Sequence, residues 1–547
     1  MSAPGPRMRW WGWGEDRAAT PLPERAARML REELGVEPSG GGRHVGLDDV
    51  RLADPSMPSD IASRLEKAVG ADHVRADRLA RVSHAAGRSY PDLVRLRSGE
   101  GLNAPDAVVY PGSAEGVTRV LAVCGEARVA VVPFGGGTSV VGGVEALEEG
   151  FAGVLSLDLA CLAALKAVDR TSLTATLEPG MLGPACEAAL AKHGLTLGHF
   201  PQSFEFSTVG GWVATRSAGQ ASTGYGRIDE LVMGLRCVSP AGVVVAKAVP
   251  ASAAGPPLRE LLVGSEGALG VITEATLRVR PSPEARRYEG WSFRSFEEGV
   301  EAFRSLEQGG AAPDVARLSD EEETRLTMAL ASTGGMTERA GGAYLRLRGH
   351  EGGCIAIVGF EGERRTLGRR GARARRLLRA GGGLALGERP GRAWRRSRYA
   401  GPYLRDDLLD RGVFVETLET ASTWSELPRL HAAVRGALRD TLSARGTPPL
   451  VMCHVSHLYP SGASLYFTFL ARQESGRELE QWGDAKSAAS EAILTAGGTI
   501  THHHAIGRDH AKWMEAEVGE LGIEALRGAK ERLDPAGIMN PGKLLPA

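Results

Sequence analysis

The stretch His199–Gly234, HFPQSFEFSTVGGWVATRSAGQASTGYGRIDELVMG, sets glycine, serine, threonine and arginine around a few aromatics. It follows neither the helical period nor the alternation of a strand, so it reads as a long ordered loop. Loops of that length inside compact domains usually carry function. Two more glycine-rich segments flank it, PFGGGTSVVGG (133–143) upstream and GSEGALGVITEA (264–275) downstream. Together the three predict a backbone that wraps a large, phosphate-bearing cofactor.

Outward from these loops, residues 104–283 alternate short β runs with helices. DAVVYP reads as a strand. Ser113 then caps a helix whose apolar face holds Val117, Val120, Leu121 and Cys124. RVAVVP, GVLSLDL, TATLEPG, VMGLRCVSP and VITEATLRVRP are further strands rich in Val, Ile and Thr. The domain is α+β or α/β. Residues 1–103 form an N-terminal helical extension. Its helix ERAARMLREEL puts Ala26, Met29, Leu30 and Leu34 on one face, and DIASRLEKAVG is a second short helix. Residues 284–450 change character and become arginine-dense between Glu361 and Tyr399. Residues 451–547 return to β runs (VMCHVSHLY, ASLYFTFLA), then a helix, the triplet His502-His503-His504 and a last helix ending in LDPAGIMNPGK. No internal repeat is present.

At 547 residues the chain exceeds one core, and two or three domains are expected. Lys plus Arg is 65 and Asp plus Glu 66, a balance that argues against a nucleic-acid partner. The six cysteines form no CxxC pair and are widely spread, which is neither a disulfide framework nor a zinc site. A reducing, cytoplasmic compartment fits best. There is no secretory-type N-terminus, no apolar run long enough to cross a bilayer, and no peroxisomal tripeptide at GKLLPA.

Several residues carry chemistry, each beside a plainer reading. In Pro133-Phe134-Gly135-Gly136-Gly137-Thr138-Ser139, consecutive glycines let N–H groups turn toward one anion; the alternative is a structural turn. The spacing is not that of a Rossmann fingerprint. Ser207, Thr208, Thr215 and Ser217 could donate to a pyrophosphate or be ordinary loop residues. Gly264–Gly270 could run beside a flat ring or form a hairpin turn. In an extended segment His502 and His504 share a face and His503 points away. Proton handling or substrate contact is the favoured role, ahead of structure and of metal, for which no neighbouring Cys or carboxylate completes a set. Tyr466, in the strand SLYFTF, is by itself a core aromatic, and Arg405, in GPYLRDDLLD, an ordinary helix charge. The arginine run at 364–379 is a solvated helix face or a contact for an anionic lipid surface.

PFGGGTSVVGG, SFEFSTVGGWVATRSAGQ, GSEGALGVITEATLRVRP and LDPAGIMNPGKLLP in combination resemble the vanillyl-alcohol-oxidase type of FAD flavoproteins, over about residues 104–547. Within it, GHFPQSFEFSTVGGW, PYLRD, the tyrosine of SLYFTF, THHHAIG and the N-terminal RWWGWG are similar to the ether-lipid branch, the alkyldihydroxyacetonephosphate synthases. The resemblance implies an α+β fold: a PCMH-type FAD-binding domain of two α+β subdomains, plus a cap domain with an antiparallel sheet. It implies FAD contacts from Pro133 to Ser139. Further contacts would come from Gln202, Ser203, Phe204, Glu205, Phe206, Ser207 and Thr208, and from Thr215, Arg216, Ser217 and Ala218. A last set would be Glu266, Gly267, Ala268, Leu269, Gly270, Val271 and Ile272.

It also implies that Arg405 binds a substrate phosphate and that Tyr466 is the proton donor and acceptor. His502, His503, His504, Arg317 and His199 would be further catalytic residues. The implied reaction replaces the acyl chain of acyl-dihydroxyacetone phosphate by a fatty alcohol, through a flavin N5 adduct and with no net redox. The glycine loop lacks the His, and its surroundings the Cys, that tether FAD covalently in some relatives, so non-covalent FAD and no metal are expected. A homodimer, cytoplasmic and in peripheral contact with the inner membrane face, completes the expectation. The alternative is an FAD-dependent 2-hydroxyacid dehydrogenase or oxidase of the D-lactate or glycolate type, which shares the scaffold.

Overall fold

A computed structural model describes residues 7–15, 22–37, 44–101, 103–147, 149–331 and 335–546. The chain is α+β, built on three main sheets. In the first, β1 (Val74–Arg75), β2 (Ala107–Val109), β3 (Ala130–Phe134) and β4 (Val154–Asp158) lie in the order β1-β2-β4-β3. β4 runs parallel to both β2 and β3, which requires a crossover, and the helix Ala114–Ala127 supplies it. The Ser113 hydroxyl accepts the Gly116 N–H at its N-terminus, and Val117, Val120, Leu121 and Cys124 bury its inner face, as the sequence predicts. Residues ahead of 104 join this layer. β1 pairs with β2, and the helix Ser59–Val69 packs on the 114–127 helix.

The second sheet is antiparallel. It contains β5 (Leu165–Asp169), β6 (Thr174–Leu177), β8 (Val232–Ser239), β9 (Gly242–Ala246) and β10 (Val271–Arg278) in the order β5-β6-β10-β8-β9. A separate two-stranded pair joins β7 (Leu195–Thr196) to β11 (Arg280–Pro281). The short helix Val209–Ala214 lies against β10 and buries Trp212. The C-terminal NPGK closes back onto the first layer. Met539 bridges Val131, and Asn540 donates its backbone N–H to the Val131 carbonyl at 2.8 Å.

The third sheet is a seven-stranded antiparallel cap. Its strands are β12 (Ala285–Phe293), β13 (Val315–Ser319), β14 (Cys354–Gly362), β15 (Leu384–Gly387), β16 (Val413–Thr423), β17 (Leu450–Tyr459) and β18 (Gly462–Arg472). They lie in the order β15-β12-β14-β13-β17-β18-β16. The period-2 alternation divides its faces. Leu465, Phe467 and Phe469 of β18 enter the core beneath the helices Phe296–Gln308, Leu427–Ala444 and Glu478–Thr495. Tyr466, Thr468 and Leu470 point the other way, into a cavity. β17 follows the same rule until an irregularity between Val455 and His457. The extra residue there lets both Ser456 and His457 face the cavity. The predicted N-terminal helix is Glu24–Leu34, with Ala26, Met29, Leu30 and Leu34 buried. It packs on the cap through the helix Glu321–Leu330 and β18.

The cap sheet depends on its helical cover. Leu438, fully buried between the 427–444 helix and the sheet, is central to that layer. Leu438→Ala is expected to cost about 2–5 kcal/mol. Denaturant unfolding followed at the cap tryptophans measures it; a loss under about 1 kcal/mol would mean the helix layer is not packed as described.

Candidate active site

The three layers meet around one cavity of about 560 Å³. Its floor is the three glycine-rich segments. After β3 the chain turns through Gly135–Gly137, and the N–H groups of Gly136, Gly137 and Thr138 meet no protein acceptor among the described residues. A Cβ on Gly136 would lie 1.8 Å from the Phe206 carbonyl oxygen, so only glycine lets the first loop nest into the second. Unsatisfied donors turned to a cavity suit a phosphate. Thr208 caps the 209–214 helix with its hydroxyl.

Glu266 sits at a left-handed φ of 52°, and its carboxylate accepts the Ile506 and Gly507 N–H groups at 2.8 and 2.7 Å. Burial pushes that carboxyl up to about 7. It therefore fastens the segment after the histidine triplet to the downstream loop.

Most of the expected cofactor segments line this cavity, but six residues do not. Phe204 is buried and stacks on Tyr399 at 5.5 Å. Glu205 accepts the Tyr403 hydroxyl, and Phe206 meets Trp13 edge-on at 5.6 Å. Arg216 turns outward to the Val263 carbonyl and Glu260. Ala268 and Leu269 are fully buried in hydrophobic clusters.

The roof is polar at its centre. The sequence expectation of an extended 502–504 segment is overturned, because these residues form a bend around one carboxylate. Glu419 of β16 accepts the backbone N–H groups of His502, His503 and His504, at 2.5, 3.0 and 2.7 Å, and the Thr501 hydroxyl at 2.6 Å. Burial alone would raise that carboxyl. The histidines and Thr501 outweigh it and hold Glu419 well below the usual range. The triplet therefore does not split into two faces. His503 and His504 line the cavity, and His502 lies behind them, sharing a 2.6 Å hydrogen bond with the Tyr459 hydroxyl.

Tyr466 faces Glu419 on one neighbouring strand and His454 on the other. Its ring stacks on His454 at 5.0 Å and on His503 at 6.0 Å, with His504 edge-on at 5.5 Å. Burial pushes the phenol up to about 12, so it stays protonated at neutral pH. Burial pulls His504 down to about 3, and also lowers His503, His502 and His457. The imidazoles are neutral where the phenol is neutral. Arg317 on β13 donates to His454 Nε2 at 3.0 Å and pairs with Glu323.

His199 lies off the cavity wall. It is buried behind Ser217, which its Nε2 reaches at 3.2 Å, and burial lowers it to about 3. His454, His457, Glu419 and Glu323 are roof residues that sequence reading passed over. Strand pairing sets His454 and Glu419 opposite the tyrosine, while Glu323 comes from the helix Glu321–Leu330. His457, His502 and His503 also bring ring nitrogens within 4.8 Å of one another, a set that could hold a metal ion. A cation there would have to displace the Ser222, Tyr459 and inter-histidine hydrogen bonds.

Two parts of the lining differ in character. Arg405 donates to the Arg88 carbonyl at 2.7 Å, while its Nε is buried with no acceptor. An apolar stretch is formed by Leu30, Leu326, Leu330, Leu408, Met452 and Leu470, and Leu408 stands one turn from Arg405 on the helix Gly401–Leu409. An anionic group carrying a hydrocarbon chain matches such a lining.

Comparison with known proteins agrees with this geometry. The family described as "FAD binding domain" matches residues 105–246, and "FAD linked oxidases, C-terminal domain" matches residues 282–544. The alkyldihydroxyacetonephosphate synthase of Dictyostelium discoideum is 32% identical over 99% of this chain and 94% of its own length. That of Trypanosoma brucei brucei is 35% identical over 91% of this chain and 82% of its own. A solved alkyldihydroxyacetonephosphate synthase superposes with a TM-score of 0.84 at 30% identity, covering 98% of this chain and 99% of that one.

The buried ionisable groups fix a pH dependence. His199 and His504 bind protons more weakly folded than unfolded, so between about 6.5 and about 3 the unfolded chain holds more protons. Stability therefore falls as pH drops through that window, by up to about 1.4 kcal/mol per pH unit for each such histidine. Glu323, held near 2 by Arg317 and His454 against its burial, adds a loss in the same direction below about 4.5. Thermal unfolding from pH 8 to 4 checks this; a Tm unchanged across that range would be inconsistent with neutral buried imidazoles.

Proposed function

The chain belongs to the alkyldihydroxyacetonephosphate synthase family of FAD-linked enzymes, and on that premise we propose that it replaces the acyl chain of acyl-dihydroxyacetone phosphate by a fatty alcohol. The observation that carries the reading is the mixed lining of one cavity, in which a buried guanidinium, an apolar stretch and a protonated tyrosine among neutral histidines all take part.

The glycine segments 133–139 and 264–272 and the loop around Thr208 hold the FAD. No cysteine lines the cavity among the described residues, and the 133–143 loop has no histidine, which supports non-covalent FAD. When bound, the flavin supplies an electrophilic ring that returns unchanged, so no oxidant is consumed. Arg405 takes the phosphate as a charge-assisted, forked donor. The apolar pocket takes the acyl chain first and the incoming alcohol chain second, which keeps both at one reacting carbon.

Tyr466 acts on the proton at that carbon. As a phenol near 12 it rests protonated, and it serves as the proton donor and acceptor of the reaction at that carbon. Glu419 keeps His503 and His504 in place around it through their backbone N–H groups. Arg317 orients His454, on which Tyr466 stacks.

We also propose a homodimer and a peripheral contact with lipid. The exposed valines 243 and 245 of the edge strand β9 support the first. The substrates' hydrocarbon chains and the solvated arginines of the Arg364–Ala380 helix support the second. No helix among the described residues is long and apolar enough to cross a membrane.

The decisive experiment incubates the FAD-loaded protein with palmitoyl-dihydroxyacetone phosphate and hexadecanol and measures the alkyl product and released palmitate. Tyr466→Phe should keep its flavin spectrum and lose at least about 10²-fold in turnover, the usual scale for a positioned acid–base group. Anaerobic bleaching of the flavin by D-lactate, with no alkyl product, would replace this reading by a hydroxyacid dehydrogenase.

A further inference from the structure

The RWWGWG segment at 9–14 has no role in the chemistry above, yet it is built into the cavity wall. Its backbone is held by a buried arginine. Arg88 donates from Nε to the Gly12 carbonyl at 3.0 Å and from another nitrogen to the Arg9 carbonyl at 3.0 Å. Both ends of the strap also converge on Asp406, the residue after the phosphate-binding candidate. The Trp13 backbone N–H donates to Asp406 Oδ2 at 2.5 Å, and the Arg9 guanidinium to the same oxygen at 2.9 Å. The other oxygen, Oδ1, lies 3.5 Å from the Arg405 guanidinium. Asp406 itself is 1% exposed. A Cβ on Gly12 would fall 2.5 Å from Oδ2, so a glycine there is a condition of this clasp.

Two buried donors of this clasp are unused. Trp13 is 3% exposed, lines the cavity, and its indole Nε1 is buried with no acceptor. Arg405 Nε is in the same state. A tryptophan N–H normally finds a partner when buried. The local charge points to what the partner is. Arg9, Arg88 and Arg405 gather around the carboxylate of Asp406, with Asp92 also acting on Arg88, and Arg88 donates to three carbonyls. Burial lowers Arg88 to about 10, against the attraction of Asp406 and Asp92. An oxyanion would accept from both unused N–H donors beside these guanidiniums.

We propose that Trp13 binds the phosphate monoester of the substrate through its indole N–H, beside Arg405, and that Arg9 and Asp406 are positioning residues that hold these two donors at the anion. The N-terminal strap is thus part of the substrate site. The proposal rests on Arg405 as the phosphate ligand, and the test separates the two.

With FAD-loaded protein, KM for palmitoyl-dihydroxyacetone phosphate, kcat, flavin content and the inhibition constant of inorganic phosphate are measured for Trp13→Phe, Arg9→Met, Arg9→Lys, Asp406→Asn and Arg405→Ala. Trp13→Phe keeps an aromatic wall and removes only the donor. It should raise KM and the phosphate inhibition constant about tenfold, with kcat within about twofold and full flavin, the pattern of lost uniform binding. Arg9→Met and Asp406→Asn should do the same, and Arg9→Lys should recover most of the loss. If Arg405→Ala raises KM and Trp13→Phe and Arg9→Met do not, the strap proposal is overturned while the phosphate reading stands. If Arg405→Ala leaves KM unchanged, both fall. Loss of flavin or of kcat without the KM effect would make the strap merely structural, and would also overturn the proposal.

Discussion

The carboxylate of Glu419 collects three successive backbone N–H groups and a hydroxyl in a place closed to water. Three consecutive residues can aim their N–H groups at one point only if the backbone folds around it. The carboxylate therefore sets the conformation of the whole histidine triplet. It also sets its charge. With Glu419 ionised in the roof, the nearest histidine, once protonated, is partly compensated, yet burial still keeps these rings neutral at rest. Tyr466 faces the same carboxylate from the adjoining strand. Phenol and imidazoles are thus brought together by one buried charge.

Much of the frame is written in short-range pattern. Ser113 and the apolar spacing 117, 120, 121, 124 specify the crossover helix, and Ala26, Met29, Leu30 and Leu34 specify the N-terminal one. The alternation in SLYFTF puts Tyr466 opposite to Leu465 and Phe467, so the tyrosine is either a cavity residue or an error in the core. The glycine loops also announce themselves, because close approach of two backbones leaves no room for Cβ. The resemblance then assigned roles to Tyr466, Arg317 and Arg405 that their lines of sequence could not.

What escaped sequence reading did so for a physical reason. Glu419 meets Tyr466 only through pairing between residues tens of positions apart, while His454 and His457 lie across a hairpin from the tyrosine's strand, and nothing local marks any of them as chemistry. The bulge after Val455, which turns His457 into the cavity, is a property of the pairing and leaves no local signature. The bend at 502–504 could not be told from an extended run, since its cause is a carboxylate 83 residues earlier. The same limit works in reverse at Phe204, Arg216, Ala268 and Leu269. They sit in segments that line the cavity, but their side chains are spent on packing or on outward ion pairs.

Two parts of the cavity lining are organised on different principles. The apolar part is made by shape: leucines from the N-terminal helix, the 321–330 helix and the cap sheet exclude water, and none is individually special. The part around Arg405 is made by charge, and buried charge must be compensated or it destabilises the fold. Asp406 and Asp92 supply that compensation within the fold, and the N–H donors left unused there are what the proposed oxyanion would take up. On this view the glycines of RWWGWG are constrained by the site: one admits the Asp406 carboxylate against the backbone, and the strap that results closes the cavity beside Arg405. A motif that reads in the sequence as a tryptophan-rich terminus is explained by the electrostatics of a residue almost 400 positions away.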